Sequence, residues 1–224
     1  MEVFNEKKLV TKLDKILKKE FGTNLAFREF SAGYGIADLV FASNYLFSKK
    51  TIKRNPITNF HTLSVYLILE QKLSLNNIYT IDEIFELVPQ LPSHEVKKQL
   101  RILSSNDYIT KVSRDKFKKA INQNDCNPIN KVIAIEVKLV DHKHGLMQAR
   151  RYQYFADESY LAILKKAEKN IDMEEFNRHN IGLILFDDKK NTIEIKQPGQ
   201  KNFICNTSVN LFAKEMMMSQ FLIS

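Results

Sequence analysis

Apolar residues near the start of the chain recur at helical spacing. Leu9, Leu13, Ile16 and Leu17 share one face with lysines opposite, which predicts an amphipathic helix over about 5–20, closed at Gly22. The following stretch, NLAFREFSAGYGIADLVFAS, reads as two strands joined by a tight turn that Gly33 and Gly35 punctuate. Further along, the pattern gives a strand in VIAIEVKLV, a helix over HGLMQARRYQYFAD and a strand in SYLAILKK. A helix near MEEFNRH, strands in IGLILFD and TIEIKQ, and a closing helix in SVNLFAKEMM complete the series. The order α-β-β-(insert)-β-α-β-α-β-β-α predicts an α/β fold with a mixed sheet and helices on its faces.

Between the polar stretches KKTIKRNP and NQNDCNPINK the texture changes, and we read residues 53–127 as a domain inserted into a discontinuous one formed by 1–52 and 128–224. Within the insert, TLSVYLILEQKLS is helical, TIDEIFELV opens with a capping box from Thr80 to Glu83, and SHEVKKQLRILSSNDYI follows Pro92 with Ser93 as N-cap. YITKVSRDKFKKA then alternates as a short hairpin. Three helices followed by a basic hairpin is the order of a winged helix-turn-helix.

A hydrophobic content of 44% is enough for a core. No apolar run approaches the roughly 20 residues of a membrane span, so no membrane partner is expected. The charged N-terminus is unlike a secretory signal, and the expected location is cytoplasmic. Cys126 and Cys205 stand far apart without further ligands at metal spacing, which argues against a disulfide framework or a zinc site. The run Met216 to Met218 reads as core or interface filler.

The formal charge of +8 suits a nucleic-acid partner, although 27 Lys against 7 Arg is a bias that AT-rich coding DNA produces by itself. Position adds more than the total does. Lys97, Lys98 and Arg101 fall on one predicted helix, and Lys111, Arg114 and Lys116 on the hairpin after it, a set suited to a DNA backbone. The preponderance of lysine favours phosphate contact over bidentate reading of bases.

The stretch IAIEVK, residues 133 to 138, raises a chemical question. On a strand, Glu136 and Lys138 project to one side while Ile135 and Val137 face the other. The Glu-x-Lys pattern also occurs at Glu6, Glu70, Glu95 and Glu194. The first three lie on predicted helices, where residues two apart do not face each other, and Glu194 lies on a polar strand next to Pro198 and Gly199. Glu136 and Lys138 instead occupy the most apolar strand, where unpaired charge is costly. They form either an edge-strand salt pair or a metal site. Asp38 is open in the same way, as a hairpin aspartate or a ligand. His142 and His144, with Asp141, read as a polar loop touching phosphate.

Taken in order, GIADLV (35–40), IEVK (135–138) and QARRY (148–152) resemble the PD-(D/E)xK nuclease superfamily, and the Gln-x-x-x-Tyr helix is similar to that of its RecB-like and Holliday-junction-resolvase-like branches. The resemblance covers about 5–52 and 128–224. It implies a restriction-endonuclease-like sheet and Mg²⁺- or Mn²⁺-dependent hydrolysis of DNA. Asp38, Glu136 and the carbonyl of Val137 would hold the metal, and Lys138 would handle the attacking water. Glu20, in preference to Glu29, would be a further acidic ligand. Gln148 and Tyr152 would orient substrate, and Arg150 and Arg151 would add phosphate-binding charge. Ala37 replaces the proline of the motif. About 97 residues separate Asp38 from Glu136, a distance that the insert accounts for. A double-strand cutter would work as a homodimer. The competing expectation is a DNA-binding regulator whose nuclease-like half is an inert scaffold.

Overall fold

Asn5 accepts the Lys8 backbone N–H at 3.0 Å and so caps α1 (Glu6–Glu20), whose Leu9, Leu13 and Leu17 are buried. A hairpin follows, β1 (Ala26–Ser31) and β2 (Ile36–Tyr45), with Ser31 opposite Ile36 across the turn. The computed structural model describes residues 5–45, 54–121 and 128–223. Cys126 and most of the two polar stretches that bound the expected insert lie outside the described residues.

The chain divides into two units, one of residues 1–45 with 129–213, the other of 46–128 with 214–224. The second unit contains α2 (Phe60–Lys72), β3 (Ile78–Thr80), α3 (Ile81–Leu87), α4 (Ser93–Ser105), β4 (Ile109–Ser113) and β5 (Lys116–Lys119), with its three strands in the order β3-β5-β4. The capping box is present: Thr80 Oγ1 accepts the Glu83 N–H at 3.3 Å, and Glu83 Oε2 accepts the Thr80 N–H at 2.6 Å. Ser93 is not a cap. Pro92 holds the N-cap position of α4 with an extended backbone and no side-chain bond, and Ser93 is the first helical residue.

The boundaries also differ from the sequence expectation at the C-terminus, where residues 214–224 group with the insert. A buried polar cluster joins the two segments. Glu215 accepts from Arg54 Nη1 at 3.0 Å and Nη2 at 2.8 Å, from the Ile57 N–H at 2.9 Å and from the Tyr108 hydroxyl at 2.6 Å.

The first unit continues with β6 (Ile129–Lys138), α5 (His142–Tyr152), β7 (Glu158–Leu164), a 3₁₀ turn (Lys165–Asn170), α6 (Met173–His179), β8 (Gly182–Asp187) and β9 (Thr192–Gln197). α7 (Thr207–Ile223) closes the chain, and within it Met217 and Met218 are buried. The six strands lie in the order β1-β2-β6-β7-β8-β9, parallel from β6 to β8 and antiparallel elsewhere. This is a mixed sheet flanked by helices. On one face α1 packs over Leu39, Phe41, Ile133, Ile135 and Val137, and on the other Leu146 and Ala149 of α5 meet Leu161 and Ile163. α5 is shorter than expected: the Phe155 and Ala156 N–H groups both turn back to the Tyr152 carbonyl, which lets Phe155 bury against Phe30. The helix caps itself with Asp141, which accepts the His144 N–H at 3.1 Å.

β2 and β6 are cross-strand neighbours from Tyr45 opposite Ile129 to Leu39 opposite Ile135. They form one hairpin with a long excursion at its tip.

Candidate active site

With Ile135 and Val137 committed to the α1 core, alternation turns Glu136 and Lys138 toward α5. Glu136 is 1% exposed, so it is no surface partner. Its Oε1 meets Lys138 Nζ at 2.6 Å, and its Oε2 accepts from the Tyr152 hydroxyl at 2.5 Å. The same hydroxyl lies 2.7 Å from the Ile36 carbonyl, so one proton serves two acceptors and ties α5 to the start of β2.

Asp38 arrives from β2, one residue beyond the last β2–β6 pair. Its Oδ2 accepts the Val137 N–H at 2.7 Å. Burial, and then the neighbouring charge of Glu136, raise its pKa to about 6, against the lowering effect of that bond. Two carboxylates therefore crowd one spot with a single ammonium beside them. Burial depresses the Lys138 pKa, but its hydrogen bond and charge interaction with Glu136 outweigh that and leave it raised. The Tyr152 hydroxyl is driven up by burial and by Glu136, and stays protonated.

α5 lays a stripe of Gly145, Gln148, Ala149 and Tyr152 along β6. A Cβ on Gly145 would stand 2.9 Å from Lys138 Cγ and 2.6 Å from Leu161 Cδ1, so the absence of a side chain there makes room for the lysine stem. Gln148 Oε1 is buried without a hydrogen-bond partner. Carboxylate and amide oxygens of this kind suit a hard divalent cation such as Mg²⁺ or Mn²⁺. The crowding of Asp38 and Glu136 is an electrostatic deficit that such a cation would offset. Among the described residues, no group of three or more His, Cys, Asp or Glu side chains is close enough to hold a metal without help from other donors.

The structure does not bring all the expected residues here. Glu20 ends α1, roughly 21 Å along the helix axis from Glu6 at the rise of about 1.5 Å per residue. It is Glu6 whose charge reaches both Asp38 and Lys138. Glu29 stands across from Asp38 on β1, but its φ of 50° breaks the strand alternation and its side chain is exposed. Arg150 and Arg151 are off the Gln148–Tyr152 stripe and line a separate cleft beside Tyr154. Sequence patterns gave no reason to choose Glu6, because an acid in the first turn of a helix is ordinary dipole compensation.

In the second unit, Lys97 and Arg101 of α4 with Lys111 and Arg114 of the β4–β5 hairpin line a cleft of about 540 Å³. Lys97 and Arg101 are four apart and share a face. Lys98 is turned toward Glu95, 3.6 Å away, and neither it nor Lys116 lines the cleft. Lys119 is drawn inward to Glu70 at 2.9 Å.

No family model, curated protein or solved structure matches this chain. Among the described residues no helix is long and apolar enough to cross a membrane.

Proposed function

We propose that the first unit is a restriction-endonuclease-like nuclease that hydrolyses phosphodiester bonds of DNA with Mg²⁺ or Mn²⁺, and that the second is a winged helix-turn-helix that docks it on DNA. The observation that carries this reading is the convergence of Asp38, Glu136, Lys138 and Tyr152 from three elements onto one buried spot. Asp38 and Glu136 would hold the cation, with the Val137 carbonyl as a further oxygen donor and no role for Glu20. A bound divalent ion lowers the pKa of water and neutralises charge on a phosphoryl group.

The chain's own residues do the rest. Lys138, with its ammonium bonded to Glu136, presents a positive charge and its remaining donors to a phosphate oxygen or to water. Tyr152 holds the Glu136 carboxylate in place, and the orphaned Gln148 oxygen accepts a hydrogen bond from substrate or water. Support for the docking role comes from four cations of α4 and the β4–β5 hairpin that line one cleft.

The test is calorimetric titration of Mg²⁺ and Mn²⁺ into the wild type, Asp38→Ala and Glu136→Ala, with cleavage of plasmid and branched DNA by the same preparations. Metal binding and cleavage in the wild type, both lost in the variants, are expected. A wild type that binds DNA but neither metal nor cleaves would leave the regulator reading in its place.

A further inference from the structure

In a chain with 27 Lys and 7 Arg, the placement of arginine says what the charge total does not. Arg28 is bonded to Asp14 and Arg54 to Glu215. Three of the other five, Arg150, Arg151 and Arg178, line a single cleft of about 520 Å³ in the first unit, together with Tyr154 and Phe203. Among the described residues no Asp or Glu lines it, and none of the three arginines has an ion-pair partner. Phe203 is 85% exposed and Tyr154 43%. The Tyr154 ring stacks on Tyr34 with centroids 4.9 Å apart and planes inclined by 16°.

The floor of this cleft is built. Gln153 is buried and donates to the His179 carbonyl at 2.7 Å and to Asn202 Oδ1 at 3.0 Å. Asn202, buried as well, donates to the Ala156 carbonyl at 2.8 Å and to Ser159 Oγ at 3.2 Å. The ends of α5 and α6 and the segment that carries Phe203 are thereby held together by satisfied buried amides, while cations and rings face out. Such an arrangement preorganises the surface for a ligand.

Guanidinium forks match phosphate oxygens, and flat exposed rings match unstacked bases. A duplex keeps its bases in their own stack and offers this surface phosphates alone. A protein occupant would have to bring carboxylates for three arginines.

We propose that the cleft binds single-stranded DNA, with phosphates on Arg150, Arg151 and Arg178 and bases stacked on Phe203 and Tyr154. The substrate class is then DNA in which duplex gives way to single strand. This deepens the nuclease reading and rests on it for the identity of the ligand as substrate.

The test is binding in metal-free buffer, where no cleavage can occur, using a single-stranded oligonucleotide that contains 2-aminopurine and its duplex form. The full chain, Phe203→Ala, and the double variant Arg150→Ala/Arg178→Ala are compared after circular dichroism has shown them folded. Single-strand binding with quenching of 2-aminopurine is expected. Phe203→Ala should weaken it about tenfold, the effect of losing one stacked base, and reduce the quench. The arginine variant should weaken single-strand binding and flatten its salt dependence by roughly one phosphate contact per residue removed. Equal losses for duplex and single strand, absence of a quench, or unaltered binding by folded variants would each overturn the proposal. Metal-free binding is separate from turnover, so a chain that binds single strands here yet never cleaves DNA would sink the nuclease reading and leave this site standing.

Discussion

The Val137 N–H donates to Asp38 Oδ2 at 2.7 Å just past the last paired residues of β2 and β6, Leu39 and Ile135. A side chain thus takes the place of a strand carbonyl where the two strands part. The bond stabilises the carboxylate, yet burial and Glu136 prevail and raise its pKa from 3.8 to about 6. Between those values the folded chain holds a proton that the unfolded chain has lost. This residue's contribution to stability therefore falls as pH rises from about 4 to about 6 and levels off above. Asp38→Asn should remove that decline. Urea midpoints at pH 4.5 and 7 check it: relative to wild type, the variant gains at the higher pH. On the nuclease reading, a bound divalent cation favours the ionised Asp38, so adding Mg²⁺ should move this decline to lower pH.

Tyr152→Phe keeps the ring in place but leaves Glu136 Oε2 and the Ile36 carbonyl without their shared donor. Unfolding free energy should drop by about 1–2 kcal/mol, with cleavage reduced and metal binding retained. Chemical denaturation and calorimetry on the same preparation check the three effects.

Gly145→Ala sets two magnitudes against each other. Alanine gains up to about 1 kcal/mol in helix propensity, whereas overpacking a filled site costs about 1–3 kcal/mol. The new Cβ would lie 2.6 Å from Leu161 and 2.9 Å from Lys138, so the clash wins and the lysine stem moves. Net destabilisation with loss of cleavage is expected. A variant as stable and active as wild type would show that the lysine's position is not fixed by this contact.

Arg54→Met strands a buried carboxylate. Glu215 is already pushed toward its protonated form by burial, with Arg54 opposing the shift. Breaking such a pair costs about 3–5 kcal/mol, and pairing the change with Glu215→Leu should restore much of the loss. Thermal unfolding of the single and double variants measures both.

Lys97→Glu with Arg101→Glu inverts one wall of the cleft in the second unit. Duplex affinity should fall and the slope of log K against log salt should shrink, read by anisotropy across a salt series. Lys98→Glu should do less, since Lys98 faces Glu95 and lies outside the cleft.

Much of this was legible in the chain. Period and punctuation located the hairpin and the capping box at Thr80, because each depends on residues within a few positions of one another. That Glu136 and Lys138 share one side of β6, opposite Ile135 and Val137, followed from strand alternation alone. Legibility failed where distant segments decide. The Glu215 cluster joins residues 161 positions apart, so the allegiance of the C-terminal helix was hidden. Glu20 and Glu6 share one helix, and only the packing of α1 on the sheet selects which end meets Asp38. Arg178 and Phe203 gave no pattern, since the cleft they line with Arg150 is made by three separate segments.

The tip-inserted hairpin of β2 and β6 also has a kinetic meaning. Asp38 and Glu136 lie on opposite sides of an excursion from Tyr45 to Ile129, and pairings of such sequence separation form slowly because loop closure precedes their reward. Pairings within the excursion, such as β4 with β5, span far fewer positions. A chain still emerging from the ribosome, or one cut within the excursion before folding, holds the two acidic residues apart. The chemistry proposed for this protein thus depends on closure of the β2–β6 pairing, which brings together residues 99 positions apart.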